Sequence, residues 1–266
     1  MKRKFKLSLF FLIMLLLTAC KMTETKKPLN ILWLVAEDLS PYYLNAYGDS
    51  RAPTPNLDRL AKEGVVYTHN FSVSGVCSPS RATLATGLYP NSFGAQNMRT
   101  LNQQAAAREI GIIDYQAVPP SEVKMVSEIM RENGYYTTNN PKEDYQFFKS
   151  ELAWDESSIY AHWRNRPDDE TPFFSIFNFS VCHESRMWNF KEHTFDGDQF
   201  PPERNIKKGN AKIENTNVPL LVPKDLEVKV PPYLPQNEIG ENAMRRMYTN
   251  IIRMDKGVGK ILDQLE

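Results

Sequence analysis

Cysteine is nearly absent from this chain: three in 266 residues, at positions 20, 77 and 182. So few thiols exclude a disulfide-framework fold and any cysteine-rich metal module, and leave at most one internal bridge. Net charge is also missing, since 32 Lys and Arg balance 32 Asp and Glu. No block of five or six like charges occurs, so nothing in the overall field favours nucleic acid as a partner. Glycine is sparse at 12 residues, against 18 prolines, which favours stiff surface segments over flexible linkers. There is no internal repeat and no low-complexity tract, and the only long apolar run is at the start.

That run has the build of an export signal. Four basic residues fall within Met1–Lys6, Leu7–Leu17 is almost continuously apolar, and Leu17-Thr18-Ala19-Cys20 follows. The tetrapeptide resembles a bacterial lipobox. It implies cleavage after residue 19, acylation of Cys20 and a short polar tether over residues 20–29. The expected location is then the envelope of a bacterium, with the membrane as a partner through the lipid. An uncleaved anchor helix is the alternative, which the shortness of the run disfavours. The Asn-Phe-Ser triplets at 70 and 178 would be glycan acceptors only in a eukaryote.

Beyond the tether the pattern is α/β. Asn30-Ile-Leu-Trp-Leu-Val-Ala-Glu-Asp38 is an apolar run closed by two acids, which predicts a central strand buried on both faces with the acids at its carboxyl end. Thr54-Pro55 opens a helix that Gly64 closes, with Leu57, Leu60 and Ala61 inward. Residues 65–73 look strand-like. Ser78 and Pro79 suit the start of a helix ending at Gly87. Residues 120–134 predict an amphipathic helix with Val123, Val126, Ile129 and Met130 on one face, followed by a strand at 135–140. Thr171–Val181 predicts a second buried strand, with Cys182-His183-Glu184 after it. Residues 184 to about 240 form a proline-studded excursion, and 241–266 carry apolar residues at helical spacing.

The chemistry gathers where strands end. Glu37 and Asp38 are hard oxygen donors suited to calcium or magnesium. Cys77 sits at a helix N-terminus, where unpaired amides favour an anion, and Arg81 one turn on offers a planar fork for a tetrahedral oxyanion. Each feature has a plainer reading: a buried cysteine, a solvated acid pair, a surface arginine. His183 alone would be a histidine bonded to a carbonyl, Lys142 an exposed lysine, and Trp154, Trp163 and Trp188 core residues rather than sugar platforms.

Cys77-x-Pro79-x-Arg81 followed by Thr86-Gly87 matches C-x-P-x-R-x-x-x-x-T-G in full, and so resembles the type I, formylglycine-dependent sulfatases. The likeness runs through NILWLVAEDLS, TPNLDRLAKEGVVYTHNF and MDKGVGKILDQLE, and so covers residues 30–266. It implies an alkaline-phosphatase-like fold, a mostly parallel sheet sandwiched by helices. It also implies that a maturation enzyme oxidises Cys77 to formylglycine, whose hydrate is the nucleophile. One calcium ion would be held by Glu37, Asp38 and the converted Cys77; glutamate at the first of these places departs from the family's aspartate. Arg81, Lys142 and His183 would contact the sulfate or donate the leaving-group proton, and Cys182 would pack inside. NMRT, GYYTTNNPKEDYQF and the run from VPPYLP onward look most like the heparan N-sulfatase branch and its bacterial relatives active on algal ulvan. The implied partner is a sulfated polysaccharide or oligosaccharide.

The resemblance further implies that residues 30–266 are the N-terminal part of a longer catalytic domain. A strand ending in Asp-Asn or Asp-His and a C-terminal subdomain would be missing. The chain as it stands is therefore expected to bind calcium weakly and to turn over little. Two rival readings are a surface lipoprotein that binds sulfated glycans without cutting them and a phosphodiesterase-like relative, which would carry serine or threonine in place of Cys77.

Overall fold

The computed structural model describes residues 27–98, 105–187 and 219–265. Cys20 and Trp188 lie outside them, as do the leader and much of the excursion. Four parallel strands form one sheet in the order β1-β4-β2-β3: β1 Ile31–Ala36, β2 Tyr136–Asn140, β3 Glu156–Ser157 and β4 Phe173–Phe179. Strand β4 is central, with Ile31 opposite Phe174 on one side and Tyr136 opposite Phe173 on the other. Its run of aromatic and branched residues is buried, as a strand covered on both faces requires.

Alternation along the strands divides the core. Ile31, Trp33, Val35, Phe174 and Ile176 face one way and pack with Ala82, Ala85, Met125, Val126 and Met130. These last belong to or adjoin α2 (Cys77–Thr86) and α4 (Val126–Glu132). Leu34, Ala36 and Phe179 face the other way, against Met244, Tyr248, Ile251 and Val258 of the long helix α5 (Glu238–Leu262) and Leu57 of α1 (Pro55–Glu63). A fifth short helix, α3, spans Ala105–Glu109. The result is the expected parallel sheet with helices on both faces. Among the described residues no helix is long and apolar enough to cross a membrane.

Several local expectations change. Strand β1 is only half-buried and lies at an edge of the described sheet, because the ladder supplies it one neighbour, β4. Residues 65–73 form no strand. They run as an exposed loop with Val65, Tyr67 and Phe71 in solvent, since no described strand pairs with them. Leu60 and Ile129 are exposed as well. Helix α4 begins only at Val126, where the Glu128 carboxylate reaches back to accept the Met125 N–H at 2.8 Å. Helix α2 begins one residue before the expected cap. Cys77 is its first residue, and Pro79 sits where its missing N–H costs nothing. Gly87 ends it with φ +71°, the left-handed turn that glycine adopts freely.

Candidate active site

The carboxyl ends of β1, β2 and β4 and the start of α2 meet at one edge of the sheet, the edge where open α/β sheets bind ligands. β1 delivers Glu37 and Asp38, β2 leads through Pro141 to Lys142, β4 passes through a single 3-10 turn to His183, and α2 contributes Cys77 and Arg81.

Two groups of side chains result. The outer one is Asp38, Cys77 and His183, whose ligand atoms all lie within 4.8 Å of one another. Cys77 Sγ is 4.0 Å from Asp38 Oδ1, and His183 Nε2 is 3.8 Å from Asp38 Oδ2. Asp38 adopts the left-handed backbone conformation, φ +48°, and its Oδ2 accepts the Glu184 N–H at 3.0 Å. The imidazole is fixed from behind, with Nδ1 at 2.9 Å from Ser185 Oγ and 3.3 Å from the Ser185 amide.

The inner group is buried and ionic. Glu37, 5% exposed, receives Arg81 Nη2 at 2.7 Å and Lys142 Nζ at 2.6 Å on the same oxygen, Oε1. Its other oxygen, Oε2, is buried with no hydrogen-bond partner. The other terminal nitrogen of Arg81, Nη1, donates to Asn178 Oδ1 at 2.8 Å and to the Lys142 carbonyl at 3.2 Å. Arg81 is therefore a buried brace beneath the outer group, and its contacts in this structure are to Glu37, Asn178 and Lys142. The loop that brings Lys142 is bent: Lys142, Asp144 and Gln146 all have positive φ, at 118°, 53° and 54°. Residues held there store strain of about 1–3 kcal/mol each, and such strain gathers at sites of function. Asp144 Oδ1 anchors the loop to α2 by accepting from Ser78 Oγ at 3.1 Å.

All six residues singled out from the sequence thus reach the same edge, with Glu37 outside the cluster formed by Asp38, Cys77 and His183. Cys77 and Cys182 are both free, so no bridge joins them. Cys182 is buried below the site, as expected, and burial, with the charges of Glu37 and Asp38, pushes its thiol well above the usual range. Trp154 and Trp163 are in the core. Asn178, Asp144 and Ser185 escaped the sequence reading. For Asn178 there was a signal, an amide in the middle of Phe-Phe-Ser-Ile-Phe-Asn-Phe, where a polar side chain must find a partner.

Residues 29–266 match the Sulfatase family. A curated relative, the ulvan-active sulfatase of Formosa agariphila, is 45% identical over 261 residues, covering 92% of this chain and 42% of that protein. The human N-sulphoglucosamine sulphohydrolase is 26% identical over 274 residues, covering 95% of this chain and 49% of that one. The chain therefore spans less than half the length of these relatives. Among solved structures, the 2-O GAG sulfatase BT1596 superposes with a TM-score of 0.55 at 17% identity, over 90% of this chain and 54% of that one. Ps i-CgsB in complex with a neocarrahexaose also gives 0.55, at 18% identity, over 90% and 55%. At such identities the structures speak for the fold, which is that of the alkaline-phosphatase-like sulfatases, while the match over nearly the whole chain settles its kinship: this chain belongs to the sulfatase family.

Proposed function

We propose that this protein hydrolyses sulfate groups on a sulfated glycan, using formylglycine made from Cys77. The observation that carries the reading is the meeting of Cys77 with Asp38 and His183 at the ligand-binding edge of the sheet. The residues fit the cofactors this requires. An orphaned, buried carboxylate oxygen on Glu37 and the carboxylate of Asp38 are hard donors of the kind that calcium takes. Glu37, Asp38 and the converted Cys77 would hold the ion, which when bound supplies charge neutralisation for the sulfuryl oxygens. Formylglycine at position 77, as its hydrate, would supply one hydroxyl to attack sulfur as the glycan oxygen leaves, and a second whose loss of a proton restores the C=O bond as the carbon–oxygen bond to sulfate breaks, a route closed to plain serine or cysteine.

The chain's own side chains do the rest. His183 Nε2 is positioned to hand a proton to the departing oxygen, with Ser185 fixing the ring. The Lys142 ammonium sits at the rim, 19% exposed, and can turn from Glu37 toward a sulfate oxygen. Arg81 acts through Glu37, holding it against the floor. The relative at 45% identity is named for ulvan and the one at 26% for a glucosamine sulfate, so an ulvan-type oligosaccharide is the favoured substrate and a heparan-type one the second. We also assign the protein to the bacterial cell envelope, anchored through lipid on Cys20.

Expression in a host with the maturation enzyme, followed by peptide mass analysis and a sulfate-release assay on ulvan and heparan oligosaccharides, tests this. The Cys77 peptide should carry the aldehyde, and whatever sulfate is released should be lost in Cys77→Ala. A sulfur-bearing Cys77 peptide from that host would overturn the reading.

A further inference from the structure

The outer group has a property that the proposed reaction does not use. Calcium takes oxygen, yet Asp38, Cys77 and His183 offer one oxygen, one sulfur and one nitrogen. That mixture of carboxylate, thiolate and imidazole is the donor set of zinc and other borderline-soft divalent ions. We propose that while Cys77 keeps its sulfur, Cys77 Sγ, His183 Nε2 and Asp38 bind a zinc ion, and that conversion to the aldehyde dismantles this site.

The geometry is close to what the ion needs. Zinc bonds of about 2.0–2.3 Å in a tetrahedron set neighbouring ligand atoms about 3.3–3.6 Å apart. Sulfur lies 4.0 Å from Asp38 Oδ1, nitrogen 3.8 Å from Asp38 Oδ2, and the three ligand atoms lie within 4.8 Å of one another, so the side chains must draw in, by up to about 1.5 Å on the widest edge, to reach that spacing. Charge is also suitable, since a carboxylate and a thiolate neutralise the ion around a neutral imidazole. The two nearby cations that would oppose it, Arg81 and Lys142, are already paired with Glu37. The outer shell is in place too. The Glu184 amide holds Asp38, while the Ser185 N–H donates to His183 Nδ1 at 3.3 Å; for Nε2 to coordinate, that bond must be given up and the proton moved to Nδ1, where Ser185 Oγ, 2.9 Å away, can accept it. Binding exchanges the thiol proton, released to solvent, for the metal–sulfur bond, and no oxidant or reductant is involved. Three protein ligands leave a fourth position for water. Calcium would share Asp38 and position 77, which is sulfur in one state and aldehyde hydrate in the other, so maturation of Cys77 would exchange a sulfur-preferring site for an oxygen-preferring one.

The test needs no turnover. The full chain, in a Cys20→Ala background and made in a host without the maturation enzyme, is titrated with zinc and with cobalt. One equivalent should bind, cobalt should show thiolate-to-metal charge-transfer absorption, and zinc should slow alkylation of Cys77 as mapped by peptide mass. Cys182, buried throughout, is the internal control. Cys77→Ser and His183→Gln should weaken zinc by more than the roughly 10- to 100-fold loss that outer-shell changes bring, and Ser185→Ala by about tenfold. Alkylation of Cys77 at the same rate with and without zinc, a measurement on the unsubstituted site, would overturn the proposal, as would equal affinity in Cys77→Ser. Either result leaves conversion of Cys77 by the maturation enzyme untouched, so the two proposals fail separately.

Discussion

Glu37 is the residue on which the site balances. One of its oxygens carries two cations and the other carries nothing, and the whole side chain is only 3% exposed. Removing a partner from a buried ion pair costs about 3–5 kcal/mol, because the charge left behind is neither solvated nor matched. Arg81→Ala is expected near the lower end, about 3 kcal/mol, since Lys142 remains on Glu37 while Asn178 Oδ1 loses its donor. The pair Glu37→Met with Arg81→Met should lose much less than the single change, as apolar replacements of both partners often do. Urea midpoints of the three proteins at constant m-value measure this. A double variant less stable than Arg81→Ala would show that the brace stabilises the fold rather than merely ordering the site.

At the scale of elements, the polar contact between α1 and α5 turns on one acid. Asp255, on the long helix and 1% exposed, accepts the backbone N–H of Asn56 at 3.1 Å and of Leu57 at 2.9 Å, and the Asn56 side-chain amide at 2.8 Å. It caps a helix 199 residues away in sequence, while Thr54, the cap expected from the sequence, makes no capping bond. Asp255→Ala should lower stability by about 2 kcal/mol, as caps and charged hydrogen bonds do. Gly259→Ala tests the same seam from the other side. Alanine gains about 1 kcal/mol in a helix interior. A Cβ there, however, would lie 2.6 Å from Asn56 Oδ1, on a short side chain that Asp255 holds in place. The expected net effect is destabilising, read as a lowered melting temperature, and it should shrink in the Asp255→Ala background.

The capping pair also shows what the sequence could and could not disclose. Strands β1 and β4 and helices α1, α2 and α5 follow from periodicity and punctuation, which are local. The Cys77 motif, the acids after β1 and the histidine after β4 were legible because each sits where a strand or helix ends. What stayed hidden depends on contacts distant in sequence. Asp255 looks like one acid on a helix face, Asn178 gains its role only when Arg81 arrives from α2, and residues 65–73 carry a strand's composition but pair with no strand among the described residues. The late start of α4 was readable in Glu128, three residues after Met125, and was obscured by the apolar spacing that continues upstream.

For the molecule as a whole, several buried phenols set an alkaline limit. Burial raises Tyr145 most, with Glu143 adding to it; burial and Glu156 raise Tyr136; burial and a hydrogen bond to Asp49 raise Tyr248. A group whose proton is held more tightly in the folded state contributes stability that is fully present below its unfolded value, about pH 10 for tyrosine, and is lost as pH rises through the folded value. Stability measured by denaturant should therefore be flat through neutral pH on this account and fall steeply above about pH 10. Tyr145→Phe should make that fall shallower, whatever it does to the plateau.

The bent loop after β2 has its own consequence. Because Lys142, Asp144 and Gln146 already occupy unfavourable backbone conformations and Ser78 ties the loop to α2, the distortion is met when the chain folds rather than when a guest arrives. An anionic visitor would find the ammonium group already docked at the rim. Its capture would then wait on no rearrangement of this backbone, only on the ammonium turning from Glu37, and added salt would slow the encounter.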